Sequence, residues 1–277
     1  MIYAYGDDGS DEKQKRVTAV SIIAGFEEWW EELEGQWIVR CAGIPFHATD
    51  CESNPPRGDY EGKLSFEEAK SMYRDLTGIL ASSKLGGIGV GIDLTARQKI
   101  FPGPLPIAYH RAFIECIERA ANAAERLGEV CEITYDIGPE NKPNAAELYA
   151  WMREGDEKLC RWLHPTVSFA SWRESARLQA ADLLAFEAWK ALDHTVGPIK
   201  RKRRSWELLR ATDQFEIYAY SEEWFNDLKA HMESGEVERL AGFNEGDYKR
   251  WLAGRKRQHS LSNLFKFLRS LDEKPTI

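Results

Sequence analysis

The pattern of apolar and polar positions predicts strands at the start of the chain. Residues 2–5 (IYAY) are apolar and aromatic, and the polar cluster GDDGSDE follows them. Residues 16–26 form a second β-rich run. Apolar runs bounded by Gly, Asp and Ser are typical of strands. We expect these two strands to pair as a hairpin around the acidic cluster. After a short helical stretch, residues 36–43 (QWIVRCAG) are predicted to form a third strand.

Helical and strand patterns alternate after this meander. Residues 65–84 have apolar positions at helical spacing, and Ser65 with Glu68 predicts a capping box at their start. The later predicted elements are a Gly-rich strand over 86–94, a helix over 106–128, a strand over 129–138, a helix over 144–163, a short strand over 166–172 and a helix over 175–194. This order indicates an α/β fold in which helices flank a mixed sheet.

The predicted α/β domain covers residues 1–195. Residues 196–277 are rich in charge and include SEEWFNDLKAHMES and SLSNLFKFLRSL, in which apolar residues recur at helical spacing. They predict a mainly helical C-terminal extension that packs on the domain.

Composition and terminal sequence exclude several classes of protein. The 277 residues contain no run of about 18 apolar residues, so no transmembrane helix is predicted. The amino terminus is acidic where a secretion signal is basic, which favours a cytoplasmic protein. The five cysteines are scattered and form no zinc-ligand pattern, so we expect free thiols.

The charge distribution bears on a nucleic-acid partner. The net charge of −8 argues against a chain that coats nucleic acid through bulk charge. Basic runs nevertheless occur at 200–204 (KRKRR) and 255–257 (RKR). Either run alone is typical of a solvated surface. Together they suggest a local surface for an anionic ligand, with Lys200 and Arg201 as candidate contacts.

Acidic residues stand where an enzyme built on a sheet places them. Asp7 and Asp8 follow the first predicted strand, Asp136 ends a later one, and Asp182 lies in the apolar helix that contains LQAADLLAFEAW. Carboxylate oxygens are hard ligands that suit Mg²⁺ or Mn²⁺. The loop after residue 43 adds a further acidic residue, Asp50.

Each of these residues also has an ordinary structural interpretation. Asp-rich segments are most often solvated turns, Asp136 precedes Ile-Gly-Pro and is suited to start a turn, and His47 is suited to a loop. Asp182 is the exception, because an unpaired carboxylate among apolar helical residues is costly. Its position favours a functional role.

Three segments, IYAYGDDGSDE, PFHATD and LQAADLLAFE, resemble the signature blocks of the family catalogued as domain of unknown function 3800. The resemblance covers about residues 1–220 and implies a ribonuclease-H-like fold that holds two divalent metal ions and acts on nucleic acid. The first block departs from the family pattern, because Ser and Gly are exchanged and Asp replaces Glu. This departure keeps the first carboxylate and changes the loop around it.

The resemblance implies roles for individual residues. Asp7 would be the central ligand that bridges both ions, Asp136 the second strand-end ligand and Asp182 the late-helix ligand. His47 and Asp50 match a His-x-x-acid block and would complete or flank the site, with His47 in the catalytic set.

The substrate-binding candidates on the same basis are Asp8, Ser10 and Gln179. Gln179 would orient Asp182 or reach the substrate. The implied cofactor is Mg²⁺ or Mn²⁺.

Three functions remain open from the sequence. The first is a metal-dependent nuclease or related phosphoryl-transfer enzyme. The second is a fold relative without catalysis that acts as an interaction or nucleic-acid-binding module. The third, a phosphatase with an Asp nucleophile, is disfavoured because Asp7 and Asp8 are adjacent and leave a strand in opposite directions.

Overall fold

The computed structural model describes residues 1–11, 16–101, 106–136 and 142–233. These residues form a mixed six-stranded sheet with helices on both faces. The strands are β1 (Ile2–Ser10), β2 (Val17–Phe26), β3 (Gly86–Asp93), β4 (Cys131–Asp136), β5 (Leu163–Ala170) and β6 (Phe215–Tyr220). The helices are α1 (Glu27–Cys41), α2 (Ala48–Cys51), α3 (Phe66–Ala81), α4 (Leu94–Ile100), α5 (Pro106–Leu127), α6 (Lys142–Gly155), α7 (Glu157–Trp162), α8 (Ala176–Val196), α9 (Arg204–Arg210) and α10 (Glu222–Glu233). Two 3₁₀ turns span Gly58–Tyr60 and Trp172–Glu174.

The strand order is β5-β4-β1-β2-β3-β6. Strand β2 pairs antiparallel with both of its neighbours, whereas β4 pairs parallel with β1 and with β5, and β6 pairs parallel with β3. The predicted α/β class with a mixed, helix-flanked sheet is confirmed. The carboxyl ends of β1 and β4 meet at one edge of the sheet.

The two faces of the sheet carry separate cores. Along β1, Ile2 and Ala4 pack into the core that contains α5, whereas Tyr3 and Tyr5 pack against the core that contains α1, α3 and α8. Successive side chains of a strand point to opposite faces. Asp7 continues the Tyr3 and Tyr5 series and therefore faces α8.

Helix α8 packs closely on the sheet because the facing strand β3 is rich in glycine. A Cβ atom on Gly89 would lie 2.4 Å from the Cβ of Ala188, and one on Gly87 would lie 3.0 Å from a methyl group of Leu184. The glycines of this predicted strand therefore allow α8 to lie close to the sheet. This approach brings the side chains of α8 onto the end of β1.

The predicted third strand at 36–43 is wrong, because these residues continue and end helix α1. The buried residues of that helix are Trp30, Leu33, Trp37 and Cys41. Their spacing of three and four positions is the period of a helix and not of a strand.

Two further strand predictions need correction. Strand β1 runs on to Ser10, so Asp7 and Asp8 lie within the strand and not in a turn after it. The region after residue 195 contains β6, which pairs with β3, so the sheet extends beyond the predicted domain boundary. The segment SLSNLFKFLRSL and the basic run at 255–257 lie outside the described residues.

Several local predictions are confirmed. Ser65 and Glu68 form the capping box of α3, and α5 covers nearly all of the helix predicted over 106–128. All five cysteines are free thiols. None of the helices in the described ranges combines the length and the apolar character needed to cross a bilayer.

Candidate active site

Strand register places the first two carboxylates side by side. Gly6 of β1 pairs with Tyr135 of β4 in a parallel ladder. The next residues along the two strands are Asp7 and Asp136, and side chains at equal positions of parallel neighbours share a face. Both carboxylates therefore lie on the face of the sheet that α8 covers.

Helix α8 brings the third carboxylate to this edge. The hydroxyl of Ser21, which pairs with Asp7 across β1 and β2, donates a hydrogen bond of 2.8 Å to the carbonyl of Ala181. This bond fixes the turn of α8 that carries Asp182 beside Asp7. Asp182 is buried, with 5% of its surface exposed, so its carboxylate is largely removed from water.

The loop and short helix after α1 supply further contacts. The backbone N–H of Ala48 donates to Oδ2 of Asp182 at 2.7 Å. Nδ1 of His47 lies 2.8 Å from Oδ2 of Asp50. Gly58 makes room for this carboxylate, since a Cβ there would lie 2.6 Å from Oδ2 of Asp50. The predicted His-x-x-acid block thus lies against the predicted helix carboxylate.

Trp172 connects this loop to the second strand-end carboxylate. The backbone N–H of Trp172 donates to Oδ1 of Asp136 at 2.8 Å. The indole ring of Trp172 stacks on the imidazole of His47, with 4.8 Å between ring centroids and 17° between planes. His47 is therefore held on one side by Asp50 and on the other by an aromatic ring.

Gln179 has a structural role that the sequence did not predict. Its Oε1 accepts hydrogen bonds from Nε1 of Trp37 at 3.0 Å and from the backbone N–H of Phe46 at 3.2 Å. Its Nε2 donates to the carbonyl of Trp172 at 3.0 Å. Gln179 joins α1, the loop before His47 and the turn before α8, and so assembles the walls of the site.

Burial and mutual repulsion disfavour the charged forms of the carboxylates. Burial, followed by the charges of Asp182, Asp8 and Asp136, raises the pKa of Asp7 well above its usual range. Burial and the charges of Asp136 and Asp182 raise the pKa of Asp8 to about 6.

The pKa of Asp182 is also about 6, because burial outweighs the opposing effects of His47 and of the Ala48 N–H. The nearby carboxylates Asp136 and Asp50 contribute to this rise. A group of buried, mutually repelling carboxylates is characteristic of functional sites.

The chemistry of these donors fits a hard divalent cation, which would relieve both the burial cost and the repulsion. The structure does not show a closed ligand set, however. Within the described ranges, no three His, Cys, Asp or Glu side chains are placed so that they could hold a metal ion together. The donor type therefore matches the prediction, and the metal itself stays a prediction.

The other predicted substrate contacts lie on different parts of the structure. Asp8 alternates with Asp7 and so faces α5, where its charge acts on Tyr109. Ser10 ends β1 and pairs with Thr18. The Lys200 ammonium donates to a carbonyl at the end of α8, and the Arg201 side chain is exposed on the following loop.

Comparison with known proteins adds no assignment. No protein-family model matches the chain, and no curated protein matches its sequence.

Proposed function

We propose that this protein is a divalent-metal-dependent nuclease or related phosphoryl-transfer enzyme that acts on nucleic acid. One observation carries the proposal: Asp7, Asp136 and Asp182 converge at one edge of the sheet from two strands and a helix. The dominant charges acting on Asp7 are those of other carboxylates, so a bound cation would favour its ionised form.

The fold supports a ribonuclease-H-like assignment as part of this proposal. An antiparallel run of β1, β2 and β3 is extended by the parallel strands β4 and β5, and the carboxylates lie along the carboxyl-terminal half of the central strand β1 and at the end of β4. Each of the three segments that resemble the family of domain of unknown function 3800 contributes a residue to this edge, namely Asp7, His47 and Asp182. Membership of that family and a cytoplasmic location stay predictions.

Asp7, Asp136 and Asp182 would hold Mg²⁺ or Mn²⁺, with Asp50 beside them. Divalent ions bound by such carboxylates activate water and stabilise the departing oxygen in phosphodiester cleavage. The protein contributes the orientation of the carboxylates, through the Ala48 N–H on Asp182 and the Trp172 N–H on Asp136.

His47 is suited to proton transfer at this site. When its Nδ1–H donates to Asp50, its Nε2 is the basic nitrogen and is able to accept a proton. The stacked ring of Trp172 and the hydrogen bond to Asp50 hold the imidazole in one orientation. His47 would thus exchange a proton with the attacking water or the leaving oxygen.

A second candidate function is an interaction or nucleic-acid-binding module without catalysis. The absence of a closed metal-ligand set among the described residues favours it. This module has no need of metal or of the charge on Asp182, so metal binding separates the two candidates.

The test is calorimetric titration of Mn²⁺ and Mg²⁺ into the wild type, Asp7→Asn and Asp182→Asn. Asp75→Asn is the control, because Asp75 pairs with Arg40 on the surface of α3. Single- and double-stranded DNA and RNA are assayed for cleavage in parallel. The proposal predicts that metal binding and cleavage are lost in both site variants and retained in the control. Absence of metal binding by the wild type would contradict it and leave the binding module.

A further inference from the structure

A group of nitrogen atoms without hydrogen-bond partners in the described ranges lies at the carboxyl-terminal end of α8. The Lys190 ammonium lies 3.7 Å from the ring centroid of Trp189. Nε1 of Trp189 and Nδ1 of His194 are buried and have no hydrogen-bond partner within the described part of the chain. Both residues are only 8% exposed, and unpaired buried polar atoms are costly. Two buried nitrogen atoms at this end of the helix therefore have no hydrogen-bond partner among the described residues.

Two neighbouring arginines form ion pairs with carboxylates, whereas Lys190 forms none within the described ranges. Arg203 is buried and forms ion pairs with Glu187 and Glu52. Arg16 pairs with Asp193 at 2.9 Å.

In the described ranges neither Lys190 nor Arg201 has a hydrogen bond or an ion pair. Burial first, and then the positive charge of Arg203, lowers the pKa of Lys190, whereas the charges of Glu52 and Asp193 oppose this shift. The ammonium is therefore half-buried beside a second cation, without a carboxylate from the described part of the chain in direct contact.

This group lies within reach of a ligand bound at the carboxylates. Lys190 follows Asp182 by eight residues of one helix, or about 12 Å along its axis at about 1.5 Å per residue. The adjacent Asp193 pairs with Arg16, just before β2, so this part of α8 lies at the sheet edge where β1 ends. A nucleic-acid strand held at the carboxylates carries a phosphate on each nucleotide, so a nearby phosphate of the same strand is able to span this separation.

We propose that Lys190, Trp189, His194 and Arg201 form a subsite for a backbone phosphate of a nucleic-acid strand, a few nucleotides from the group held at the carboxylates. The ammonium and guanidinium would supply charge, and the indole N–H and imidazole would supply hydrogen bonds to the phosphate oxygens. The proposal rests on the proposed function for its ligand.

The test measures binding of a fluorescent oligothymidylate in EDTA, so that it depends neither on metal nor on cleavage. Lys190→Gln and Arg201→Gln each remove one charge, and Trp189→Phe removes the indole N–H while keeping an aromatic ring. Lys84→Gln is the matched control, because Lys84 precedes β3 at the opposite edge of the sheet. Inorganic phosphate, with chloride at equal ionic strength as its reference, is titrated in a second arm.

The subsite predicts that Lys190→Gln and Arg201→Gln each weaken oligothymidylate binding about threefold or more. It also predicts that each substitution reduces the slope of log affinity against log salt by about 0.7. Trp189→Phe is expected to weaken binding without changing that slope, and Lys84→Gln is expected to match the wild type.

Equal affinities and slopes for Lys190→Gln and Lys84→Gln would overturn the subsite. Absence of oligothymidylate binding by the wild type would also overturn it. Weakening seen with inorganic phosphate alone would assign the site to a free anion and not to nucleic acid, which would overturn the proposal as well. Failure of metal binding or cleavage, in contrast, would count against the proposed function and leave this comparison unchanged.

Discussion

The substitution Asp182→Asn is expected to stabilise the metal-free protein at neutral pH. Asparagine has nearly the same shape and keeps an oxygen that accepts the Ala48 N–H, while it removes a charge close to Asp136. Burial, together with Asp136 and Asp50, raises the pKa of Asp182 from 3.8 to about 6. At about 1.36 kcal/mol per pKa unit this difference corresponds to about 3 kcal/mol as an upper limit. We expect a gain of about 1–3 kcal/mol in the free energy of unfolding.

The pH dependence of this gain follows from the direction of the pKa change. The folded wild type binds the Asp182 proton more tightly than the unfolded chain does. Protonation therefore contributes stability that is fully present below about pH 3.8 and is lost as the pH rises through about 6. The advantage of the Asn variant should be largest above pH 7 and should shrink towards pH 4.

Urea unfolding in EDTA, from about pH 4.5 to about pH 8, measures this difference. Asp75→Asn is the control for loss of an exposed charge. With Mn²⁺ present, the order should reverse, because the wild type alone would gain metal-binding energy. An Asn variant that is less stable than the wild type by the same amount at every pH would refute the electrostatic reasoning.

Two further substitutions test the packing and the charges around α8. Gly89→Ala places a Cβ 2.4 Å from that of Ala188, so it should destabilise the fold by about 1–3 kcal/mol in urea unfolding and weaken Mn²⁺ binding. Gly78→Ala, in α3 with no atom near its added Cβ, should be neutral or stabilising, and equal effects of both would contradict this account. Glu187→Gln leaves the Arg203 charge partly uncompensated in the core and should cost about 2–4 kcal/mol in the same assay. A cost below about 0.5 kcal/mol, typical of a surface change, would argue against that role.

Secondary structure was predictable where one periodicity dominates a segment. The α3 segment has a capping box and a clear apolar stripe, and β2 is almost entirely apolar, so both were predicted close to their observed bounds. The α1 segment misleads because Trp37, Ile38 and Val39 are consecutive, which suggests a strand. Ile38 and Val39 are in fact exposed, whereas Trp37 and Cys41, on the inner face of the same helix, are buried.

Strand β6 shows a different limit. Its six residues, Phe215–Tyr220, are flanked by charged segments, and only Phe215 and Tyr220 at its two ends are buried. A short edge strand with few buried positions has almost no alternation to detect. Its place in the sheet depends on pairing with β3, which is more than 120 residues earlier in the chain.

The candidate site was predictable only for the residues that contribute their side-chain carboxylates. Asp7, Asp136 and Asp182 were selected as carboxylates in apolar or strand-end settings, and the structure brings them to one edge. Trp172 and the Ala48 N–H were not selected, because they act through backbone groups or through a stacked ring. Such contacts leave no mark in the type or spacing of residues.

Helix α8 contains two buried carboxylates in contrasting surroundings. Glu187 is fully buried, yet hydrogen bonds from Arg203 and Ser205 outweigh the effect of burial and lower its pKa below the usual value. Asp182, five residues earlier, is buried to a similar extent, and its pKa is raised. If Asp182 served packing alone, a cation comparable to Arg203 would be expected beside it. The same helix neutralises one carboxylate with an arginine and sets the other beside His47 and further carboxylates, an arrangement that suits the divalent cation proposed above.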